Sequence, residues 1–414
     1  MGARMQALTQ PMSYLRLPQS RVRMLIAAPW AIPAVLMVRS LPRFRDYQFG
    51  TFWNLYFGHI VLDSTIQMGR LQGVDSSKRR WFWMGHLNNS QWELMVRRNL
   101  NFHPMACAID YWNRHLPGGE KHSFDSNITE SRDLAGIVWS TDCQPAFTAE
   151  EDAHGRDWLQ SLGLGYYDRF VTLVVRDGHF GGSHPYESIH GFRNSDISTF
   201  VPSALWLAEQ GIWVLRMGKT MKSPMIAEHP RVIDYSFRAD RSDFLDVWLM
   251  AHSSGSISTA TGLDSVAQIY RRPMLLLNAM PLFAWSSYHP CTWVPKDLRE
   301  ASSGRILSAG EHLEHAYGHE SEYSAAGLEL VALTPEEILQ EVQDWWMGLS
   351  DQPRASQADN DLQQAFIDLC KKSPTSSMKH EIIHPEARIS SAWLRRRFEL
   401  PTRQEGTALS LFDS

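Results

Sequence analysis

Between Phe170 and Pro281, five short apolar runs alternate with helix-like segments, and each run gives way to small or polar residues. The runs are Val171–Val175, Ile212–Leu215, Arg231–Tyr235, Ser254–Ser258 and Met274–Asn278. Runs this short and this apolar suit strands buried on both faces of a parallel sheet. The connecting stretches read as crossover helices. Asp196–Gln210 carries Phe200, Val201, Ala204, Leu205, Leu207 and Ala208 on one helical face, Gly211 stops it, and Pro202 falls in the tolerant first turn. Asp243–Ala251 and Leu263–Tyr270 supply two more. The pattern therefore predicts an α/β fold whose ligands bind beyond the carboxyl ends of the strands.

The 414 residues, 43% of them hydrophobic, are enough for two domains with separate cores. The expected division is an amino-terminal arm over 1–45, a first α/β unit over 46–150, a second over 160–349 and a tail over 350–414. In the first unit Tyr47–Trp53 and Trp81–Met84 read as strands, and Ile60–Leu71, Ser90–Leu100 and Ala106–Leu116 as helices. Ser140–Leu162, with its Asp, Glu, Gly and Pro, is expected to be the linker. Thr334-Pro335-Glu336-Glu337 reads as a helix start, with Thr334 as N-cap. The formal charge of −5 gives no general attraction to nucleic acid. Cys107, Cys143, Cys291 and Cys370 are too far apart for paired zinc or redox motifs, so reduced thiols in a cytoplasmic protein are expected. Met24–Val38 is apolar, flanked by arginines and interrupted by Pro29 and Pro33. It reads as an arm packed on the protein, with shallow insertion into a membrane interface as the alternative.

The chemistry concentrates at the strand ends. Ser258-Thr259-Ala260-Thr261-Gly262 lies between a strand and a helix, where small residues and free N–H groups favour a phosphate. Thr261 and Asp264 also match a capping box that needs no ligand. Gly191–Ser198 brings Arg193, Asn194 and Asp196 to the mouth of the first crossover; these could hold a phosphate or ribose, or Asp196 could cap the helix. Arg176 and Asp177 follow the first run and could pair with each other. Arg216, beside Gly218, follows a buried run and calls for an anionic partner: a ligand, or Asp234. In the first unit His59 precedes a helix with Asp63 one turn on, an arrangement suited to a general base, although a packed histidine looks the same and His103, His179, His184 and His190 compete for the role. There is no GxxxxGK[ST] and no GxSxG.

Arg193-Asn194-Ser195-Asp196-Ile197-Ser198-Thr199-Phe200, then Gly211 and Val214-Leu215-Arg216-Met217-Gly218, resemble a family of bacterial putative glycosyltransferases that reads approximately R-N-S-D-I-x-T-Y and G-x-x-V-x-R-M-G. The likeness runs on through Asp234-Tyr235, Ser258–Leu263 and Asn278 to Thr334–Ile338, covering about 170–345 of this chain; Phe200 stands where Tyr is common. It implies a GT-B-like enzyme, two Rossmann-like domains facing a cleft, with a sugar nucleotide as substrate and no metal or other cofactor. The donor would lie against Arg176, Arg193, Asn194, Asp196, Arg216, Gly218, Ser258, Thr259, Thr261 and Gly262. His59, with Asp63 as a second candidate, would deprotonate the hydroxyl of a glycan, lipid-linked or protein acceptor. The final helices of such enzymes commonly cross back to the first domain. A sugar-nucleotide 2-epimerase and a non-catalytic nucleotide-sugar-binding protein remain the alternatives.

Overall fold

The computed structural model describes residues 21–52, 56–125, 132–179, 191–351, 356–377 and 379–398. The chain forms two α/β units that meet across a cleft. In the first, β1 (Tyr47–Thr51) pairs in parallel with β2 (Arg79–Trp83), and parallel bridges add Phe102 beside β2 and Ser123 beside β1. Helices Phe57–Gln72, Ser90–Asn99 and Ala106–His115 lie within three residues of their expected bounds.

The second unit is built on a seven-stranded parallel sheet. Its strands are β3 (Phe170–Val174), β4 (Trp213–Arg216), β5 (Val232–Ile233), β6 (Gly255–Ser258), β7 (Met274–Ala279), β8 (Cys291–Pro295) and β11 (Ala387–Ile389). They are ordered β11-β8-β7-β6-β3-β4-β5, with β9 (Asp297–Glu300) and β10 (Leu328–Val331) forming a separate antiparallel pair. Every residue of β3, β4, β6 and β7 is buried, as expected of strands covered on both faces. Counted from β3, the six consecutive strands follow the doubly wound order 3-2-1-4-5-6, which places the topological switch point between β3 and β6. The bridged segments of the first unit repeat the start of that order. The α/β, GT-B-like arrangement expected from the sequence is thus what the chain adopts.

The two carboxyl edges meet at glycines. A Cβ on Gly58, at the start of the Phe57–Gln72 helix, would come within 2.9 Å of the Gly262 Cα, and one on Gly262 within 3.0 Å of the Gly58 nitrogen. Two backbones can approach this closely only without side chains. Polar clamps hold the same junction. Asp243 accepts from the Ser90 amide at 2.9 Å and pairs with Lys219 at 3.0 Å, while Arg98 forks onto Glu151 with both bonds at 2.9 Å. Burial opposes the Glu151 charge, yet Arg98 and the Thr148 amide pull its carboxyl down to about 2.

Three stretches take a form that the sequence reading did not specify. The arm is a helix from Arg21 to Ser40; Pro29 and Pro33 lie on its exposed side, where the carbonyls they leave unpaired are solvated. The stretch expected as a linker contains the helix Ala149–Ser161. A Thr148/Glu151 capping box starts it, and Gly155 lets it lie against Trp248; the polar residues that suggested a loop are its cap and outer face. The tail adds β11 to the edge of the large sheet, where the Gln363 side chain bonds both the N–H and the C=O of Ile389. It also touches the first unit, through Trp139 against His384 and Arg132 to the Lys379 carbonyl.

Candidate functional site

A cavity of about 1130 Å³ opens at the switch point. Its floor is the ends of β3 and β6 (Val174–Gly178 and Ala260–Ser265), its second wall is Tyr56–His59 with Leu62 and Asn88, and Arg132 and Lys379 close one side. Cations outnumber acids in the lining: Arg132, Arg176, Arg193, Lys219 and Lys379 against Asp177, Asp246 and Asp264. The balance favours an anionic ligand.

Arg193 is the distinctive member of this set. It projects from a short turn, Gly191–Arg193, and among the described residues no hydrogen bond reaches its guanidinium; its Nε is buried and unpaired. Burial makes its charge costly, and the nearby Asp264 carboxylate compensates in part. Asp264 is itself pushed up to about 6 by burial, against the bonds it accepts from Ser258 Oγ and the Thr261 N–H, both at 2.7 Å, and against the Arg193 charge. A half-buried arginine that faces a cavity and has no hydrogen bond among the described residues has open bonding capacity of the kind an anion could fill.

The expected donor residues divide. Arg176, Arg193, Gly218, Thr261 and Gly262 line the cavity, and the Thr261 hydroxyl is buried without a partner. Arg176 also bonds the Asn194 side chain through Nε at 3.0 Å. The other five are outside the lining. Arg216 is fully buried and its two terminal nitrogens are engaged internally: Nη1 bonds Asp234 at 3.1 Å and Ser236 at 2.6 Å, and Nη2 bonds the Ser223 carbonyl at 3.1 Å, so that only Nε lacks a partner, away from the cavity. The second of its two sequence readings, the ion pair with Asp234, is the correct one. Ser258 donates to Asp264, and Thr259 Oγ1 accepts from the Arg176 amide at 2.9 Å, so both hydroxyls brace the turn from beneath. Asn194 spends its side chain on Arg176 and its carbonyl on Lys296. Asp196 is exposed and caps the Ile197–Phe200 turn through the Ser198 amide. The Thr261–Asp264 bond likewise makes the capping reading of that turn correct, although the turn still faces the cavity.

His59 lines the cavity, partly buried and beside the Tyr56 ring at 5.5 Å. Asp63 is buried one turn further along the same helix and lies outside the lining. His179 also faces the cavity, His103 does not, and His184 and His190 lie outside the described residues. Sequence reasoning missed Arg132, Lys219, His319 and Lys379. Only Lys219 carried a local signal, its place after Gly218 at the end of β4.

Two metal-motif look-alikes are inert. His380-Glu381-Ile382-Ile383-His384 spells HExxH but is not helical, and both ring nitrogens of His380 are engaged, by Ser287 at 2.6 Å and the Phe283 carbonyl at 3.1 Å. Asp359-Asn360-Asp361 spells DxD but starts the Gln357–Lys372 helix, where Asp359 is tied to Arg395 and Ser356. Among the described residues no three His, Cys, Asp or Glu side chains are grouped to hold a metal ion.

The Asp264 carboxyl gives the cavity a pH signature. Above about pH 6 it is charged and opposes an incoming anion; below, it is neutral and Arg193 acts alone. Wild type should therefore lose diphosphate affinity relative to Asp264→Asn as pH rises from about 5 to 7.5, by about three- to tenfold. Titration calorimetry of both proteins with one diphosphate cancels the ligand's own ionisation; parallel curves would show that Asp264 does not face the anion.

No known protein family matches the chain, and no curated protein is similar to it. Among solved structures it is similar to a glycosyl transferase family 9 protein from Veillonella parvula DSM 2008, at 12% identity and a TM-score of 0.39 over 72% of this chain and 96% of that one. It is also similar to the E. coli ADP-heptose lps heptosyltransferase II, at 11% identity and a TM-score of 0.37 over 72% and 98%. At such scores no residue role passes from them to this chain.

Proposed function

We propose that the cavity binds a nucleoside-diphosphate sugar and that the protein transfers the sugar to an acceptor hydroxyl, without a metal ion. The observation that carries this reading is the unpaired Arg193 guanidinium at the switch point of a doubly wound sheet, with the Thr261 hydroxyl and Arg176 in the same lining. Charge builds on the leaving diphosphate as the glycosidic bond breaks, and fixed cations in a water-poor site stabilise that charge. Arg193 and Arg176 take this role. His59, reaching the cavity from the opposite unit, accepts the proton of the attacking hydroxyl. Donor and acceptor thus approach from different units, and closure of the cleft brings them together. Asp63, buried one turn further along the same helix and outside the lining, takes no direct part in this reading.

The test is a panel of nucleoside diphosphates and their sugars scored by ligand-induced thermal stabilisation, followed by transfer assays with the stabilising donor. Stabilisation by one nucleoside diphosphate over its monophosphate supports the donor site. Sugar isomerised without an acceptor would point to an epimerase, and binding without turnover to a binding protein. His59→Ala should lower the transfer rate by about a hundredfold while leaving diphosphate affinity within about twofold. A full rate in this variant would move the base elsewhere in the lining.

A further inference from the structure

The helix Arg21–Ser40 has two apolar faces, and the described residues cover only one. Its inner face, Met24, Ala27, Ala31, Val35 and Val38, is buried against the Ala106–His115 helix, and the Trp112 indole donates to the Met24 carbonyl at 2.9 Å. Arg39 pins its far end through Asn113 and the Pro117 carbonyl. Its outer face leaves Leu25 63%, Ile26 72%, Trp30 40%, Leu36 52% and Met37 46% exposed, a larger contiguous apolar strip than a water-facing helix carries without a use.

The charges around the strip indicate what covers it. Arg21 and Arg23 lie at one end and Arg43 and Arg45 just past the other, with Arg45 81% exposed at its side chain. Across residues 21–60 Asp46 is the sole acid, although the whole chain is net negative. An apolar strip carrying Trp and bounded by arginines complements an anionic lipid surface, where the rings and aliphatic groups enter the acyl boundary and the guanidinium groups meet the headgroups. Lying flat also suits the backbone. Pro29 and Pro33 leave the Leu25 and Pro29 carbonyls without helical donors, which water at the interface satisfies and hydrocarbon would not. The covered inner face excludes a bilayer-spanning pose while the helix stays docked on its neighbour.

We infer that the outward face of the Arg21–Ser40 helix docks the protein on an anionic membrane surface, in the plane of the interface. The inference is independent of what the cleft binds, since its test contains no nucleotide. Flotation of the full chain with vesicles of phosphatidylcholine alone, or with about one-quarter phosphatidylglycerol, should recover about tenfold more protein with the anionic vesicles. About 0.5 M salt should reduce that recovery severalfold. Ile26→Glu/Leu36→Glu should lose about tenfold or more in recovery, and Arg43→Glu/Arg45→Glu should erase the preference for anionic vesicles. Both pairs are on the surface, and unchanged thermal melts confirm that the variants fold. The inference is overturned if neither vesicle recovers the protein, if the Ile26/Leu36 variant floats like wild type, or if bound protein resists alkaline extraction as a spanning helix does. It is equally overturned if wild type is a dimer that the Ile26/Leu36 variant dissociates and that ignores lipid.

Discussion

Arg193→Met is expected to weaken binding of the preferred nucleoside diphosphate by about ten- to a hundredfold while the protein still folds. The effect should be large because the guanidinium has no hydrogen bond within the described residues, so its bonding capacity is held for a ligand. Its charge, already costly to bury, is stabilised by an arriving anion more than a solvated arginine's would be. Truncation to an apolar chain of similar length removes fork and charge together; Arg193→Lys, which keeps the charge but not the planar fork, should fall between. Titration calorimetry gives the affinity, and near-ultraviolet circular dichroism reports whether the fold is kept. Unchanged affinity in a folded Arg193→Met protein would remove the donor site from this end of the sheet.

Arg216→Leu should do the reverse, lowering global stability by about 3–5 kcal/mol with little direct effect on the ligand. The arginine is fully buried at the end of β4, and its loss strands Asp234, whose carboxylate also accepts from the Met225 amide. Those bonds anchor the segment that returns to β5, so the damage should spread beyond one ion pair. A second change, Asp234→Asn, should restore part of the loss by removing the unpaired charge, and urea unfolding of the single and double variants measures it. An Arg216→Leu protein as stable as wild type, but unable to bind diphosphate, would restore Arg216 to the donor site. The two arginines thus make opposite predictions although the sequence assigned both to the same ligand-binding edge.

That contrast shows how far the local pattern reaches. The five apolar runs fell within a few residues of β3 to β7 because double-sided burial leaves few polar positions in a strand. The capping box at Thr334 was legible for a similar reason: the cap bonds join residues three apart in the chain. The helix within the expected linker was missed because its polar residues lie on the solvent side, a face that composition alone cannot assign; the arm packs on the protein as expected, but its two prolines gave no sign that it is helical. At the site, the turn after β6 was found, but Ser258 and Thr259 look like ligand groups in sequence and are braces in space. Arg132 and Lys379 were invisible, since they come from segments some 250 residues apart and nothing near either one marks it.

By itself the sequence determined the periodicity of the elements, the parallel sheet of the second unit and the edge on which its polar turns gather, because these follow from interactions within a strand or a helical turn. Which polar groups remain open at that edge was decided only by the tertiary structure. Arg216 was closed by Asp234 and Arg193 was left open, and the outer face of the Arg21–Ser40 helix was left uncovered, because a side chain's partner is fixed by what the fold brings beside it and not by its neighbours along the chain.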